Sequence, residues 1–503
     1  MHVITRDHMH GDASRRALLL RAVRTLFAGC LVAASIVGTL VSFAPTTAMA
    51  AVTSSPFVAK PSAHRWYRIP SIIKNAQGDL LAFAELRDNA NTTDMGDFDV
   101  VVRRSTDGGR TWGAMRVVAD DGINRVSNPV PILDPATGDI LLVTSVRYRN
   151  NTNKGLYLQR STDGGATFSP LNQGLFRPGG NFHGGLPGPG HGIALQNGPH
   201  AGRVIVALGY KRGDYYGGSG IYSDDGGRTW TAGFDFCDPS AKIGYMEGTI
   251  AELASGDLYI NYHDKYSTNP SKMRYDGIST DGGETMASGV SAQATLKLHS
   301  VQGSVLALTG THAGQMIFSS PTLLSAKDRS LRRDMGIFMS ADGGQHWGKP
   351  YQVELVSRPA AYSDLVQVGD NTVGILYETG VHKWRERIVF KTVAIDGLVA
   401  RTKLSASVHA ALSAATVRPT SRARVRVAVS VAGVSNPSGT VVVSYKAPSK
   451  SGRSSATLSS TGRGVRYVTL PRLAKGTYAI TVAYGGTSRI ARKTVSGGTL
   501  RVK

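Results

Sequence analysis

Apolar and polar residues alternate with a period of two in many short stretches of this chain. Near the C-terminus, Ala423-Arg424-Val425-Arg426-Val427-Ala428-Val429 and Thr440-Val441-Val442-Val443-Ser444-Tyr445 show it clearly, and the pattern predicts half-buried strands. Earlier strand-like runs, among them Asp99-Val100-Val101-Val102-Arg103-Arg104 and Asp334-Met335-Gly336-Ile337-Phe338-Met339, each run straight into a polar octet containing two glycines. The best preserved octets are Ser105-Thr106-Asp107-Gly108-Gly109-Arg110-Thr111-Trp112, Ser161-Thr162-Asp163-Gly164-Gly165-Ala166-Thr167-Phe168 and Ser223-Asp224-Asp225-Gly226-Gly227-Arg228-Thr229-Trp230. Weaker copies begin at Ser279 and Ser340, so successive copies start 56, 62, 56 and 61 residues apart. An aspartate that ties the backbone ahead of it, followed by glycine at positive φ, is hairpin chemistry, and the closing aromatic can pack beneath the turn.

One such turn in every 59 or so residues is enough chain for a four-stranded antiparallel blade. Residues 60–400 then hold six blades, five marked by an octet and one unmarked where the ring closes. The predicted fold is all-β: a six-bladed β-propeller over residues 51–400, followed by a small immunoglobulin-like sandwich over 404–503. The octets are read as fold elements on the blade periphery, away from any substrate. Composition agrees, since 59 glycines and 21 prolines in 503 residues favour short strands and turns over long helices.

Charge is informative through its distribution. The net +22 resembles that of a nucleic-acid binder, yet residues 401–503 contain 18 Lys or Arg and no Asp or Glu, while residues 51–400 are almost neutral. The basic C-terminal domain is therefore expected to act in attachment or spacing, with anionic cell-wall or glycan polymers as partners and no specific nucleic acid. Residues 1–50 begin with Arg15, Arg16, Arg21 and Arg24, continue without charge from Thr25 and end in Ala48-Met49-Ala50. That order predicts a cleaved signal peptide and a secreted protein. Of the two cysteines only Cys237 would survive cleavage, which leaves no internal disulfide and places the burden of stability on the core.

The octets match the Asp-box repeat of the sialidases (neuraminidases), and the segments between them strengthen the likeness. Tyr67-Arg68-Ile69-Pro70, Ala84-Glu85-Leu86-Arg87, Gly188-Pro189-Gly190-His191-Gly192-Ile193, Tyr245-Met246-Glu247-Gly248, Arg332-x-Asp334-x-Gly336, Ala361-Tyr362-Ser363-Asp364-Leu365 and Leu376-Tyr377-Glu378 occur in the order seen in that family. The chain thus resembles a sialidase over about residues 60–395. The resemblance implies a secreted retaining exo-sialidase that removes terminal sialic acid. Arg68 and Arg332 would hold the substrate carboxylate, for which a guanidinium offers a two-pronged, permanently charged partner. Tyr362 would be the nucleophile and Glu247 its base, because a neutral phenol meets an anionic sugar without the repulsion a carboxylate would suffer. Asp94 would be the acid and base, with Asp88, Asp97 and Asp99 as rivals. Arg87 would hold the substrate or the acid, and Glu378 would buttress Arg68.

One position departs from the family pattern. A further carboxylate-binding arginine normally follows the base by sixteen to nineteen residues, and Ile260-Asn261-Tyr262-His263-Asp264 puts His263 there. His263 is accordingly a candidate substrate ligand, with Arg274 as a residue that could swing in and another 2-keto acid sugar as an alternative substrate. Arg333 is expected to face away from Arg332. His64, His183, His191 and His200 fall on predicted loops, with His191 expected to shape the pocket wall. No metal or other cofactor is suggested. A non-catalytic glycan-binding propeller is the remaining alternative, and the Asp94, Glu247 and Tyr362 set argues against it.

Overall fold

In a computed structural model, the described residues are 51–503 apart from 89–93, 181, 183, 241, 267–272, 299, 324–330, 355–356, 432–433, 435, 460 and 488–489. The predicted signal peptide and His183 lie outside the described residues. The chain is almost entirely β.

Six antiparallel blades follow one another between Thr53 and Ala394, the first two joined into one eight-stranded sheet by a parallel bridge between Phe98 and Arg125. Blade 1 consists of Arg65–Lys74, Leu80–Asp88, Asp97–Ser105 and Arg116–Ala119. Blade 2 consists of Arg125–Leu133, Ile140–Arg147, Asn153–Ser161 and the short Leu175–Phe176. In blade 3 two short strands, Leu186–Pro187 and Ile193–Ala194, both pair with Val204–Arg212, and Tyr215–Ser223 and Thr231–Phe236 complete it. Blade 4 runs from Tyr245–Glu252 through Leu258–Asp264 and Met273–Ser279 to Ser291–Lys297, and blade 5 from Ser304–Ala307 through Met316–Pro321 and Met335–Ser340 to Tyr351–Gln352. Blade 6 takes Ala360–Gly369, Thr372–Thr379 and Arg387–Ala394 from one end of the region and its outer strand, Thr53–Val58, from the other. The two ends of this region are thereby hydrogen-bonded in one sheet, which closes the ring at the blade without an octet.

The octets do more than turn the chain. In the first, Ser105 Oγ donates to Asp107 Oδ1 at 2.7 Å and accepts from the Gly109 amide at 2.8 Å, while Thr111 Oγ1 donates to Asp107 Oδ2 at 2.6 Å. The same geometry recurs at Asp163, Asp225 and Asp281, and His346 replaces the threonine beside Asp342. The second glycine of each octet, at φ near 90°, presses on the preceding blade. A Cβ on Gly109 would lie 2.1 Å from the Phe390 ring of blade 6, and one on Gly165 would lie 2.5 Å from Leu81 of blade 1. Gly227, Gly283 and Gly344 face Leu141, Ile205 and Tyr259 in the same way. Only glycine permits both the dihedral and the approach. Each octet is therefore a clasp between neighbouring blades, and none of its residues lines the main cavity described below.

Near the ring's axis the buried carboxylate of Asp364, in blade 6, joins three other blades. It accepts from the Ile72 amide of blade 1 at 2.8 Å and from Ser304 Oγ of blade 5 at 2.7 Å, and it contacts His191 Nδ1 of blade 3 at 2.7 Å. Burial lowers the proton affinity of His191, Asp364 raises it more, and the net direction is upward. His191 is thus an axial strut; it is absent from the wall of the main cavity, contrary to the expectation drawn from its glycine-rich loop.

A short helix, Ile395–Thr402, follows blade 6 and buries Ile395 and Leu398 against blade 5 residues Met335 and Ile337. Beyond it a three-stranded sheet (Ala406–Leu412, Arg422–Val431, Val465–Arg472) faces a five-stranded one built on Gly439–Ala447 and Gly476–Tyr484. Alternation along Arg422–Val431 is strict. Ala423, Val425, Val427, Val429 and Val431 are buried, and Arg422, Arg424 and Arg426 point outward.

Candidate active site

The residues that converge near the axis come from irregularities at one end of the innermost strands. Register shifts fall between Arg68 and Ser71, Ser127 and Val130, Met246 and Thr249, and Ala360 and Ser363. Within the first three of these bulges Ile69, Asn128 and Glu247 adopt φ of 54°, 55° and 53°. Left-handed backbone is rare for a β-branched residue such as Ile69, and strain of this kind persists only where the surroundings over-determine it. The bulges re-aim the neighbouring side chains toward the axis. The buried Glu378 holds two of them together. Its Oε1 accepts from Arg68 Nε at 2.7 Å and from the Ile69 amide at 2.9 Å, and its Oε2 accepts from the Tyr362 amide at 3.3 Å.

A cavity of about 940 Å³ opens over this end of the ring, and Arg68, Arg87, Asp94, Glu247, Arg332 and Tyr362 all line it. The Tyr362 hydroxyl donates to Glu247 Oε1 in a short hydrogen bond. The Arg68 and Arg332 guanidinium carbons stand 5.1 and 5.8 Å from the centre of the Tyr362 ring, and the Trp384 ring centre lies 4.2 Å from the guanidinium carbon of Arg68. Burial, then the Glu247 charge, push the Tyr362 phenol well above its ordinary value, against the pull of Arg332 and Arg68. Burial also acts to raise Glu247. Hydrogen bonds and charge from His263, the bond from Tyr362 and the Arg332 charge outweigh it and leave this carboxyl below the usual range. The proton of the pair therefore rests on the phenol, beside an ionised acceptor.

Asp94 stands across the cavity with its side chain 83% exposed, joined to Arg87 at 2.7 Å and 3.9 Å from Arg68. Nearby protein atoms push its proton affinity up, but Arg87, Arg68 and Arg125 pull it further down, so the resting group is ionised. Arg87 holds this carboxylate and is itself held by Glu85 at 2.6 Å. Asp88, Asp97 and Asp99 lie outside the cavity lining. Asp99, half-buried beside Asp120 and Asp97, is pushed up to about 7 by burial and by those neighbours.

Three residues occupy positions that composition and spacing did not foresee. His263 stands behind Glu247 and is not part of the cavity lining: its Nε2 meets Glu247 Oε2 at 2.8 Å and its Nδ1 lies 3.1 Å from Ser300 Oγ. Arg274 does not swing in. It is buried in blade 4, where Nε donates to Asn261 at 2.7 Å, Nη1 donates to the Val301 carbonyl at 2.6 Å, and burial lowers its proton affinity to about 10. Glu85, unassigned in the sequence, anchors both Arg87 and the Asn128 amide of the adjoining blade, the latter at 2.9 Å. Arg333 turns away from the cavity, donating to the Ser357 carbonyl. Among the described residues no group of acidic, histidine and cysteine side chains is arranged to hold a metal.

A family model described as a BNR repeat-like domain matches residues 78–375, more than half of the chain. A sialidase of Micromonospora viridifaciens is 32% identical over 337 residues, which is 62% of this chain and 50% of that protein. A sialidase of Bacteroides fragilis is 27% identical over 66% of this chain and 63% of its own length. The chain thus spans half to less than two thirds of these relatives. Among solved structures, the Hadza microbial sialidase Hz136 superposes with a TM-score of 0.58 at 25% identity, covering 69% of each chain. With five Asp boxes clasping a six-bladed ring and the tyrosine, glutamate and arginines of the family motifs gathered in one cavity, the chain belongs to the sialidase family of BNR-repeat proteins.

Proposed function

We propose that this protein is a retaining exo-sialidase, and the observation that carries the reading is the Tyr362–Glu247 hydrogen bond beneath two arginines in an open cavity. The substrate carboxylate binds Arg68 and Arg332. Tyr362 Oη attacks the anomeric carbon as its proton passes to Glu247 Oε1, while the bond to the leaving oxygen breaks and that oxygen takes a proton from Asp94. In the second half, water attacks the anomeric carbon and gives a proton to Asp94, and the departing phenolate recovers its own from Glu247. Retention follows from the two displacements.

Asp94 must be protonated for the first half, yet Arg87, Arg68 and Arg125 hold it ionised. The arriving carboxylate neutralises part of the field of Arg68 and so raises Asp94 toward protonation. Substrate binding and acid catalysis are thereby coupled. His263 acts through Glu247: with Nε2–H donating to that carboxylate it fixes the base's orientation and keeps it ionised.

Sialylated glycans are the substrate class this reading supports. Placing histidine where the family has a third carboxylate-binding arginine favours, as a second reading, a related 2-keto acid sugar. We further infer that the protein is exported and that the outward arginines of the sandwich attach it to anionic glycan polymers. Hydrolysis of a fluorogenic α-sialoside by the wild type and by Tyr362→Phe tests the central reading. The variant should lose on the order of 10³-fold or more in kcat. Equal rates would remove Tyr362 from the nucleophile's role, and glycan binding without turnover by either protein would mark a lectin.

A further inference from the structure

The cavity contains a second group of cations that the proposed chemistry does not use. Arg125, Arg147, Lys211 and Lys265 line its wall on blades 2 to 4, around Tyr216. Arg125 and Arg147 are directly opposed across two strands, an arrangement that destabilises a sheet when both residues carry the same charge. Lys265 Nζ donates to the Tyr216 hydroxyl at 2.8 Å and lies 4.0 Å from the ring centre, with Lys211 Nζ 5.8 Å from the same ring. Among the described residues no carboxylate lies within ion-pair distance of any of the four. The buried Nε of Arg147 has no hydrogen-bond partner. Burial and the repulsion of Arg147 hold Arg125 below its ordinary value. Arg125 feels the more distant charges of Glu85 and Asp94, but four like charges on one concave wall without an ion-paired carboxylate raise the energy of the folded protein, and such an arrangement is characteristic of a site whose counter-charge comes from a ligand.

This wall adjoins the first cluster. The Phe98 ring lies 4.4 Å from the Arg87 guanidinium carbon and 5.8 Å from that of Arg125, so one aromatic residue touches both groups. Those two distances keep the guanidinium carbons within roughly 10 Å of each other, the scale of a single sugar residue with its substituents.

We propose that Arg125, Arg147, Lys211 and Lys265 form a second anion subsite, and that the preferred sugar carries, besides the carboxylate held by Arg68 and Arg332, a second anionic group of the sulfate or carboxylate type. The inference rests on the reading of the site given above and narrows its substrate class to doubly anionic sugars.

The test compares a fluorogenic α-sialoside with its singly O-sulfated isomers, the sulfate placed in turn on each sugar hydroxyl and, as a control, on the leaving group. Wild type and Arg147→Gln/Lys211→Gln are assayed at fixed ionic strength. At least one sugar-sulfated isomer should gain tenfold or more in kcat/KM over the parent. The double variant should lose that gain while hydrolysing the parent within about threefold of the wild type. The proposal fails if no isomer gains, if the gain survives in the variant, or if it appears only with the sulfate on the leaving group. Should no glycoside turn over, the hydrolase reading fails separately, and equilibrium binding of the same compounds decides the subsite: a tenfold preference for a sugar-sulfated isomer that vanishes in the variant supports it, and equal affinities overturn it.

Discussion

Glu247 has two neighbours with different tasks: Tyr362 on Oε1 supplies a proton, and His263 on Oε2 fixes the carboxylate that receives it. Replacing His263 should therefore act on the base more than on substrate affinity. His263→Phe is expected to lower kcat about 10–100-fold with little change in KM. Because His263 holds Glu247 below its ordinary value and the base must be ionised, removing it moves the acid limb of the kcat/KM profile to higher pH. His263→Gln, which retains an N–H donor, should recover part of the loss. Asp94 gives a second pH test: rates fall as pH rises through the proton affinity of the acid, so the basic limb of kcat should lie at higher pH than that of kcat/KM if substrate raises Asp94. Coincident limbs would remove that coupling. Family motifs made Arg68, Glu247, Arg332, Tyr362 and Glu378 legible in the sequence. The function of Glu85 was not, because its contact with Asn128 crosses blades at a separation of 43 residues and depends on a bulge that no local pattern announces.

At the level of elements, the octets were legible as turns while their clasping role was not, since Gly165 shows its purpose only when Leu81 of another blade lies against it. Gly165→Ala should therefore destabilise the fold by about 2 kcal/mol or more, through a Cβ at positive φ and a 2.5 Å contact, as read by a denaturant midpoint. The octet carboxylates add a pH dependence. The Thr167 hydroxyl, then its amide, hold Asp163 down to about 2. A group whose proton affinity is lowered on folding stabilises above its unfolded value and loses that contribution as pH falls through the folded one. Asp163→Asn should accordingly lower Tm near neutrality, and its deficit against wild type should close between about pH 4 and pH 2. The helix Ile395–Thr402 went unforeseen because eight residues present only Ile395, Leu398 and Val399 as a helical stripe, too short a signal to stand out among strands.

Over the whole molecule, the site depends on a ring whose closing strand and axial carboxylate come from distant parts of the chain. Five regular repeats made the six-blade count readable, whereas the pairing of Thr53–Val58 with Arg387–Ala394 has no sequence mark. Asp364 was visible as part of a motif, but its links to blades 1, 3 and 5 emerge only from the closed ring. Asp364→Ala leaves His191, Ser304 and the Ile72 amide without their buried acceptor, and should cost about 3 kcal/mol or more in unfolding free energy. The arginines of the sandwich should retain the full chain on an anionic glycan matrix at low salt, and Arg422→Gln/Arg424→Gln/Arg426→Gln should elute at lower ionic strength. Catalysis depends on convergence: residues from blades 1, 4, 5 and 6 meet so that a phenol can become a nucleophile. Mass spectrometry of the protein quenched during turnover of a fluorine-slowed sialosyl fluoride tests this most directly. A glycosyl adduct on the peptide containing Tyr362, absent in Tyr362→Phe, is the predicted result; an adduct on another residue, or steady hydrolysis with no adduct at all, would contradict it.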